Sequence, residues 1–180
     1  MKKLSLNLIM LLLVQLILAQ STSDHLDKMP SFELFDLNDQ MVTNDDYKGS
    51  YLVLHIAATW CPFCNAEAPY LEQLAQDYSD KNVKVLIIDV KEPRELVKQK
   101  LQDRFKFSFP VLLDSDGSVA ASFAPENVLP DLARDEVMLA SNLIIDPEGT
   151  IRFLSLLDSK NFDARLVGLK ARLDELLTAP

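Results

Sequence analysis

The sequence predicts an α/β domain: a central mixed sheet, parallel for the most part, flanked by helices. Three observations predict it. Two apolar runs, "YLVLHIA" (Tyr51–Ala57) and "VKVLIIDV" (Val83–Val90), suit strands buried on both faces. Each is followed by a stretch whose apolar residues recur at spacings of three and four, as on a helix. Near the C-terminus, two further apolar runs flank "PEG" and read as an antiparallel hairpin. The 180 residues, 48% hydrophobic and 25% charged, suffice for one domain with an ordinary core and a targeting segment.

The elements follow in order. "SFELFDL" (Ser31–Leu37) alternates apolar and polar residues and reads as a strand. "NDQMVTNDDYKG" supplies turn chemistry and a short second strand at Met41–Thr43, giving an N-terminal β-hairpin extension. After the strand Tyr51–Ala57, the residues Phe63, Ala66, Tyr70, Leu71, Leu74 and Tyr78 mark a helix. Pro62 suits its first turn, and Pro69, two turns in, is expected to kink it. The strand Val83–Val90 precedes an amphipathic helix over Glu92–Phe105. "PVLLD" (Pro110–Asp114) is a short strand and "SDG" a turn. "SVAASFA" is a short helix or turn, and Pro125–Glu136 a loop with at most a helical turn. The hairpin pairs Leu139–Asp146 with Ile151–Leu157. Phe162, Leu166, Leu169, Leu173 and Leu176/Leu177 then share one face of a last helix.

The first twenty residues stand apart. Met1-Lys2-Lys3 is a basic head, and Leu4–Ala19 is apolar except for Ser5, Asn7 and Gln15. This is the layout of a secretory signal peptide, and the apolar run is short of the ~20 residues that span a bilayer. The domain plan is thus a signal peptide over 1–20, a linker over 21–30 and one domain over 31–178, exported to the periplasm. The alternative is an N-terminal membrane anchor. The formal net charge is −9, and losing the leader removes two lysines and no acid. An acidic chain without a basic cluster repels phosphate backbones, which excludes nucleic acid as a partner class.

Both cysteines lie in "AATWCPFCNAEAP": Cys61 and Cys64. A C-x-x-C pair supplies two zinc ligands, but a structural zinc takes four, and only His25 and His55 could add to them. In an oxidising compartment the pair tends to form a disulfide. As a mere staple it would gain little, because the loop it closes is so short. Redox chemistry has the stronger physical case. Cys61 ends a buried strand just ahead of a helix, where free N–H groups and the macrodipole stabilise a thiolate. Cys64, one turn further in, is placed to attack a mixed disulfide formed at Cys61.

"TWCPFCNAEAPYLEQL" resembles the active site of the thioredoxin superfamily. It is most similar to the extracytoplasmic TlpA/ResA-like thiol–disulfide oxidoreductases, whose pattern W-C-x-x-C-x-x-E-x-P is met by Trp60, Cys61, Cys64, Glu67 and Pro69. "FPVLLDSDGSVAASF" and "NLIIDPEGTIRFL" resemble the later strands of that fold. The resemblance covers roughly residues 30–177. It implies a thioredoxin-like fold and thiol–disulfide exchange on protein disulfides, with Cys61 and Cys64 as the catalytic pair and the redox disulfide. Trp60, Glu67 and His55 would support them. No metal or organic cofactor is required. The cycle needs an electron source, which for a periplasmic reductase is a membrane-embedded thiol donor.

Glu67 would tune the thiols and move protons, the alternative being a solvated carboxylate on the helix surface. His55, six residues before Cys61, stands where thioredoxins proper carry a buried acid. It could relay a proton or, charged, stabilise a thiolate; otherwise it is a satisfied core histidine. A second departure concerns the cis-proline of that fold, whose position falls on Ala140 or Ser141. A non-proline peptide is expected to be trans there. Two alternatives stand beside the oxidoreductase: a non-catalytic binding module and a thiol peroxidase. Against the peroxidase, Ala58 and Ala140 occupy the positions of its Thr and Arg.

Overall fold

The computed structural model describes residues 28–178. The signal peptide read over 1–20, and the linker as far as residue 27, lie outside the described residues. The end of that linker is not free: the Met29 N–H donates to the Gly149 carbonyl, and the Lys28 ammonium to Thr150 Oγ1. Residues 28 and 29 thus belong with the hairpin turn.

Seven strands form one sheet in the order β2-β1-β5-β4-β3-β6-β7. These are β1 (Glu33–Asp36), β2 (Met41–Thr43), β3 (Tyr51–Ala57), β4 (Val83–Val90), β5 (Val111–Asp114), β6 (Ser141–Ile145) and β7 (Ile151–Ser155). The centre β5-β4-β3 is parallel, while β1, β2, β6 and β7 add antiparallel pairs on both sides. The expected mixed sheet and N-terminal hairpin are present. The late hairpin strands are shorter than the apolar runs that announced them. Aspartates make the turns. Asp36 accepts from the N–H groups of Asn38 and Gln40, and Asp146 from those of Glu148 and Thr150.

Helix α1 (Pro62–Asp77) follows β3 directly. Pro69 lies inside it without interrupting it. Helix α2 starts at Arg94–Val97, widens into a π turn over Lys98–Gln102 and ends at Asp103–Phe105. Two short helices, α3 (Ser118–Ser122) and α4 (Arg134–Val137), precede β6, and α5 (Val167–Thr178) closes the chain. Among the described residues no helix is long and apolar enough to cross a membrane.

Strand alternation sorts the core into two faces. Val53, Val85, Ile87 and Ile144 face α1 and α5, meeting Leu71, Leu74, Leu169 and Leu173. Leu52, Leu54, Ile56, Leu86, Ile88 and Leu143 point the other way, toward Phe123 and Met138. A fully buried leucine contributes ~1.5–3 kcal/mol, so both layers secure the sheet. Two polar positions share the α1 face with Val53 and Val85. His55 pairs across β3–β6 with Asn142, and Asp89 pairs across β3–β4 with Ala57.

Candidate active site

Cys61 is the N-cap of α1, with extended backbone (φ −73, ψ 115) and Pro62 behind it. The Cys64 N–H donates to Cys61 Sγ at 3.2 Å, one of the helix's otherwise free first donors. Both thiols are unbonded, so the structure presents the reduced pair. The Cys64 thiol, donating toward Cys61, and the N–H groups of Cys64 and Phe63 lower the Cys61 pKa to about 7, against its burial. That same hydrogen bond, burial and the neighbouring Cys61 charge push Cys64 far above the ordinary thiol range. The two sulfurs, alike in sequence, are thereby made unlike: one ionises near neutral pH and the other keeps its proton.

The turn that carries Cys61 is clamped from two sides. Glu92 accepts from the Thr59 hydroxyl at 2.7 Å and from the Thr59 N–H. The Asn65 amide donates to the carbonyls of Thr59 and Cys61, both at 2.8 Å. Trp60, at the tip, is 67% exposed.

Beneath the helix lies a buried polar chain. The Asn142 amide donates to Glu67 Oε1 at 2.9 Å, and its Oδ1 lies 2.9 Å from His55 Nδ1, which donates to it as the N–H tautomer. Glu67 Oε2 stands 3.6 Å from the same His55 nitrogen. Glu67 is only 3% exposed, which overturns the alternative of a solvated surface carboxylate. Burial raises its pKa to about 8, with Asn142 pulling the other way and the Cys61 charge adding to the rise. Burial lowers His55 to about 4. Both groups are therefore neutral at pH 7, and their approach is not an ion pair. Nor is His55 fully satisfied: Nε2 has no partner, and neither has Glu67 Oε2. The charged imidazolium considered from the sequence is disfavoured.

Four contributors are not marked as such in the sequence: Glu92 stands there only as the start of a helix. Asn142 and Asn65 carry no motif. Asp89 left a visible trace, a lone acid inside "VLIIDV". It is fully buried with both oxygens unpartnered, and burial and the nearby Glu92 charge raise its pKa to about 8. Opposite the cysteines, Ala140 precedes β6. Its peptide is trans, as expected, since no cis bond occurs among the described residues. Its backbone is left-handed (φ 59), and its N–H donates to the Ile56 carbonyl at 2.9 Å. Ala58 and Ala140 offer no side-chain donor to Cys61. Cys61 and Cys64 supply two thiols, and among the described residues no group of three His, Cys, Asp or Glu is placed to hold a metal ion.

Residues 26–154 match the AhpC/TSA family. The chain is 31% identical over 123 residues to the thiol-disulfide oxidoreductase ResA of Geobacillus kaustophilus, an alignment covering 68% of this chain and 64% of that protein. The chain thus spans just under two thirds of that relative's length. Among solved structures, a secreted disulfide oxidoreductase of Mycobacterium tuberculosis superposes with TM-score 0.63 at 22% identity, over 80% of this chain and 95% of that one. A thioredoxin family thiol:disulfide interchange protein of Chlorobium tepidum does so with TM-score 0.61 at 18% identity, over 82% and 98%. The fold is thioredoxin-like, as the sequence led one to expect.

Proposed function

The chain belongs to the AhpC/TSA family, and from that premise we propose that it is an exported thiol–disulfide oxidoreductase that reduces protein disulfides. The Cys61 thiolate attacks one sulfur of a substrate disulfide. The substrate S–S bond breaks, a mixed disulfide forms at Cys61, and the departing sulfur leaves as a thiolate. Cys64 gives up its proton and attacks Cys61 Sγ. The Cys61–Cys64 disulfide forms, and the second substrate sulfur is released and protonated. Two electrons pass from the cysteine pair to the substrate. A membrane-embedded thiol donor would return them, because the periplasm is held oxidising.

The observation that carries this reading is the divided pair at the helix start: Cys61 near pH 7 and Cys64 held protonated beside Glu67. The second step needs a group to take the Cys64 proton, and the ionised fraction of Glu67, which grows as pH rises toward its pKa of about 8, can accept it. The name of the Geobacillus relative points to the same chemistry. A peroxidase is less well supported, since Ala58 and Ala140 give an activated thiolate no donor. A static binding module would not need two thiols so differently tuned.

The test is reduction of insulin disulfides with dithiothreitol as the electron source. The parent chain is expected to accelerate it, Cys61→Ser to abolish the acceleration, and Cys64→Ser to accumulate a mixed disulfide. No acceleration by the parent chain would sink the proposal.

A further inference from the structure

Asp89 is a buried titratable group that the exchange steps leave unused. It lies fully buried near the end of β4, beside Ala57 of β3 and Leu113 of β5 in register. No donor reaches either of its oxygens. A carboxylate so placed is costly in a dry layer, and buried polar groups are nearly always hydrogen-bonded. The side chain within hydrogen-bonding reach is Glu92, itself an acceptor. Two carboxyl groups rest against each other only when a proton lies between them. The orphaned oxygens are thus those of a carboxylic acid, whose own O–H supplies the missing donor.

The other charged and titratable groups around β4 are engaged elsewhere. Lys91 pairs with Asp135 at 2.7 Å, and Arg94 with the Asp39 carboxylate at 2.6 Å. At the end of α2, Arg104 donates to Asn65 at 3.2 Å, and the buried residues of that helix, Val97 and Leu101, are apolar. On the face that Asp89 shares, β3 contributes His55, directed at Asn142, and α1 contributes Cys64 and Glu67. Asp114 of β5 lies on the opposite face, where the Ala120 N–H donates to it at 2.8 Å.

Through Glu92 this proton reaches the cysteine turn. The Glu92 carboxyl accepts from the Thr59 N–H and, at 2.7 Å, from the Thr59 hydroxyl. Thr59 stands two residues before Cys61, in the turn that the Cys61 N–H closes onto the Ala58 carbonyl at 3.1 Å. A carboxylate offers about four acceptor sites, so Glu92 can hold Thr59 and the Asp89 proton together. Once Asp89 ionises, two like charges meet in the dry layer. Glu92 is half-buried and relieves them by turning to solvent, which frees Thr59.

We propose that Asp89 is a positioning residue for Cys61: the proton it shares with Glu92 keeps Glu92 on Thr59 and so holds the turn from which Cys61 caps α1. Proton loss to solvent in mild alkali releases the turn. The proposal rests on the exchange reading above and adds a regulation of that same site.

The full chain, labelled with carbon-13 at its aspartate carboxyls and with nitrogen-15, is titrated by NMR. The Asp89 carboxyl is expected to keep its proton to about pH 8, and the Thr59 amide proton to shift in the same step. Asp89→Asn, whose amide still donates to Glu92, should leave the Thr59 amide unmoved there. Alkylation by iodoacetamide reads the thiolate. The parent rate should climb as Cys61 ionises near pH 7 and fall about tenfold past pH 8, the scale of one hydrogen bond to a charged group. In Asp89→Asn the rate should stay on its plateau. Asp89→Leu, with no donor, should be slower than Asp89→Asn already at pH 7; if it does not fold, the parent chain and Asp89→Asn decide the matter. An Asp89 carboxyl titrating near its ordinary 3.8 overturns the proposal. So does a Thr59 amide that stays put in the parent chain or shifts equally in Asp89→Asn, and so does a parent alkylation rate that holds its plateau. Insulin reduction reads the exchange chemistry separately. Its failure alongside an intact coupled titration would sink that chemistry and leave the role of Asp89 standing.

Discussion

At the scale of single residues, the candidate site makes like groups unlike. Cys61 and Cys64 differ because one caps a helix and the other donates to it. Glu67 and His55 are both neutral because they share a dry layer between helix and sheet. Asn142 organises that layer: its amide N–H donates to the Glu67 carboxyl group, and its carbonyl orients the imidazole. Asn142→Ala should therefore raise the Glu67 pKa further, since the hydrogen bond that lowers it is lost. The rate of mixed-disulfide resolution would shift its pH dependence to higher pH. Stability should fall by about 1–3 kcal/mol for the orphaned groups. A stopped-flow pH profile alongside urea melts checks both, and an unmoved profile would confine Asn142 to packing. Cys61, Cys64, Glu67 and His55 were legible in the sequence because they sit within thirteen consecutive residues, 55–67. Asn142 was not. It lies 75 residues from Glu67 and 87 from His55, and only strand register brings it between them.

At the scale of elements, the strand-to-helix junction β3–α1 places the cysteines, and β6 places what faces them. Both are visible as patterns, an apolar run broken by Trp-Cys-Pro and a run ending in Pro-Glu-Gly. The conformation just before β6 is not. Ala140 is buried, left-handed and bonded through its N–H to the Ile56 carbonyl. Proline would fix φ near −65° and remove that donor. Ala140→Pro is thus expected to cost about 2 kcal/mol or more, whereas Ala140→Gly should be tolerated at a positive φ. Urea midpoints of the two variants test this, and a Pro variant as stable as the parent chain would contradict the trans, left-handed geometry. The π turn in α2 and the segment Pro125–Ala133 were likewise unreadable in advance. Their shapes depend on partners such as the Val128 and Pro125 carbonyls held by Arg134.

At the scale of the whole molecule, buried acids couple the site to stability. Glu67 rises from an ordinary 4.5 to about 8, and Asp89 from 3.8 to about 8. Between those values the folded chain keeps protons that the unfolded chain has lost, so each acid makes stability fall as pH rises through the window. His55, lowered from 6.5 to about 4, acts oppositely: between those values the unfolded chain binds the extra proton, and stability rises with pH. Relative to Glu67→Gln and Asp89→Asn, the parent chain should therefore lose stability steadily from about pH 4.5 to pH 8. His55 is common to parent and variants, so its opposite contribution below about pH 6.5 cancels from the difference. Denaturant melts across that range decide it; a parallel course for parent and variants would mean that the two acids ionise normally in the fold.

By itself the sequence determined the mixed α/β plan, the hairpins and the cysteine pair with its Trp, Glu and Pro. Those features are local: periodicity, turn residues and spacing along one helix do not need the rest of the chain. Tertiary structure alone decided that Glu67 is buried rather than solvated, that Asn142 joins it to His55, and that Asp89 is buried beside Glu92 where no donor reaches it. Burial and proximity between distant residues depend on which strands pair and in what register. Those same two quantities set the dielectric and the hydrogen bonds that tune each group.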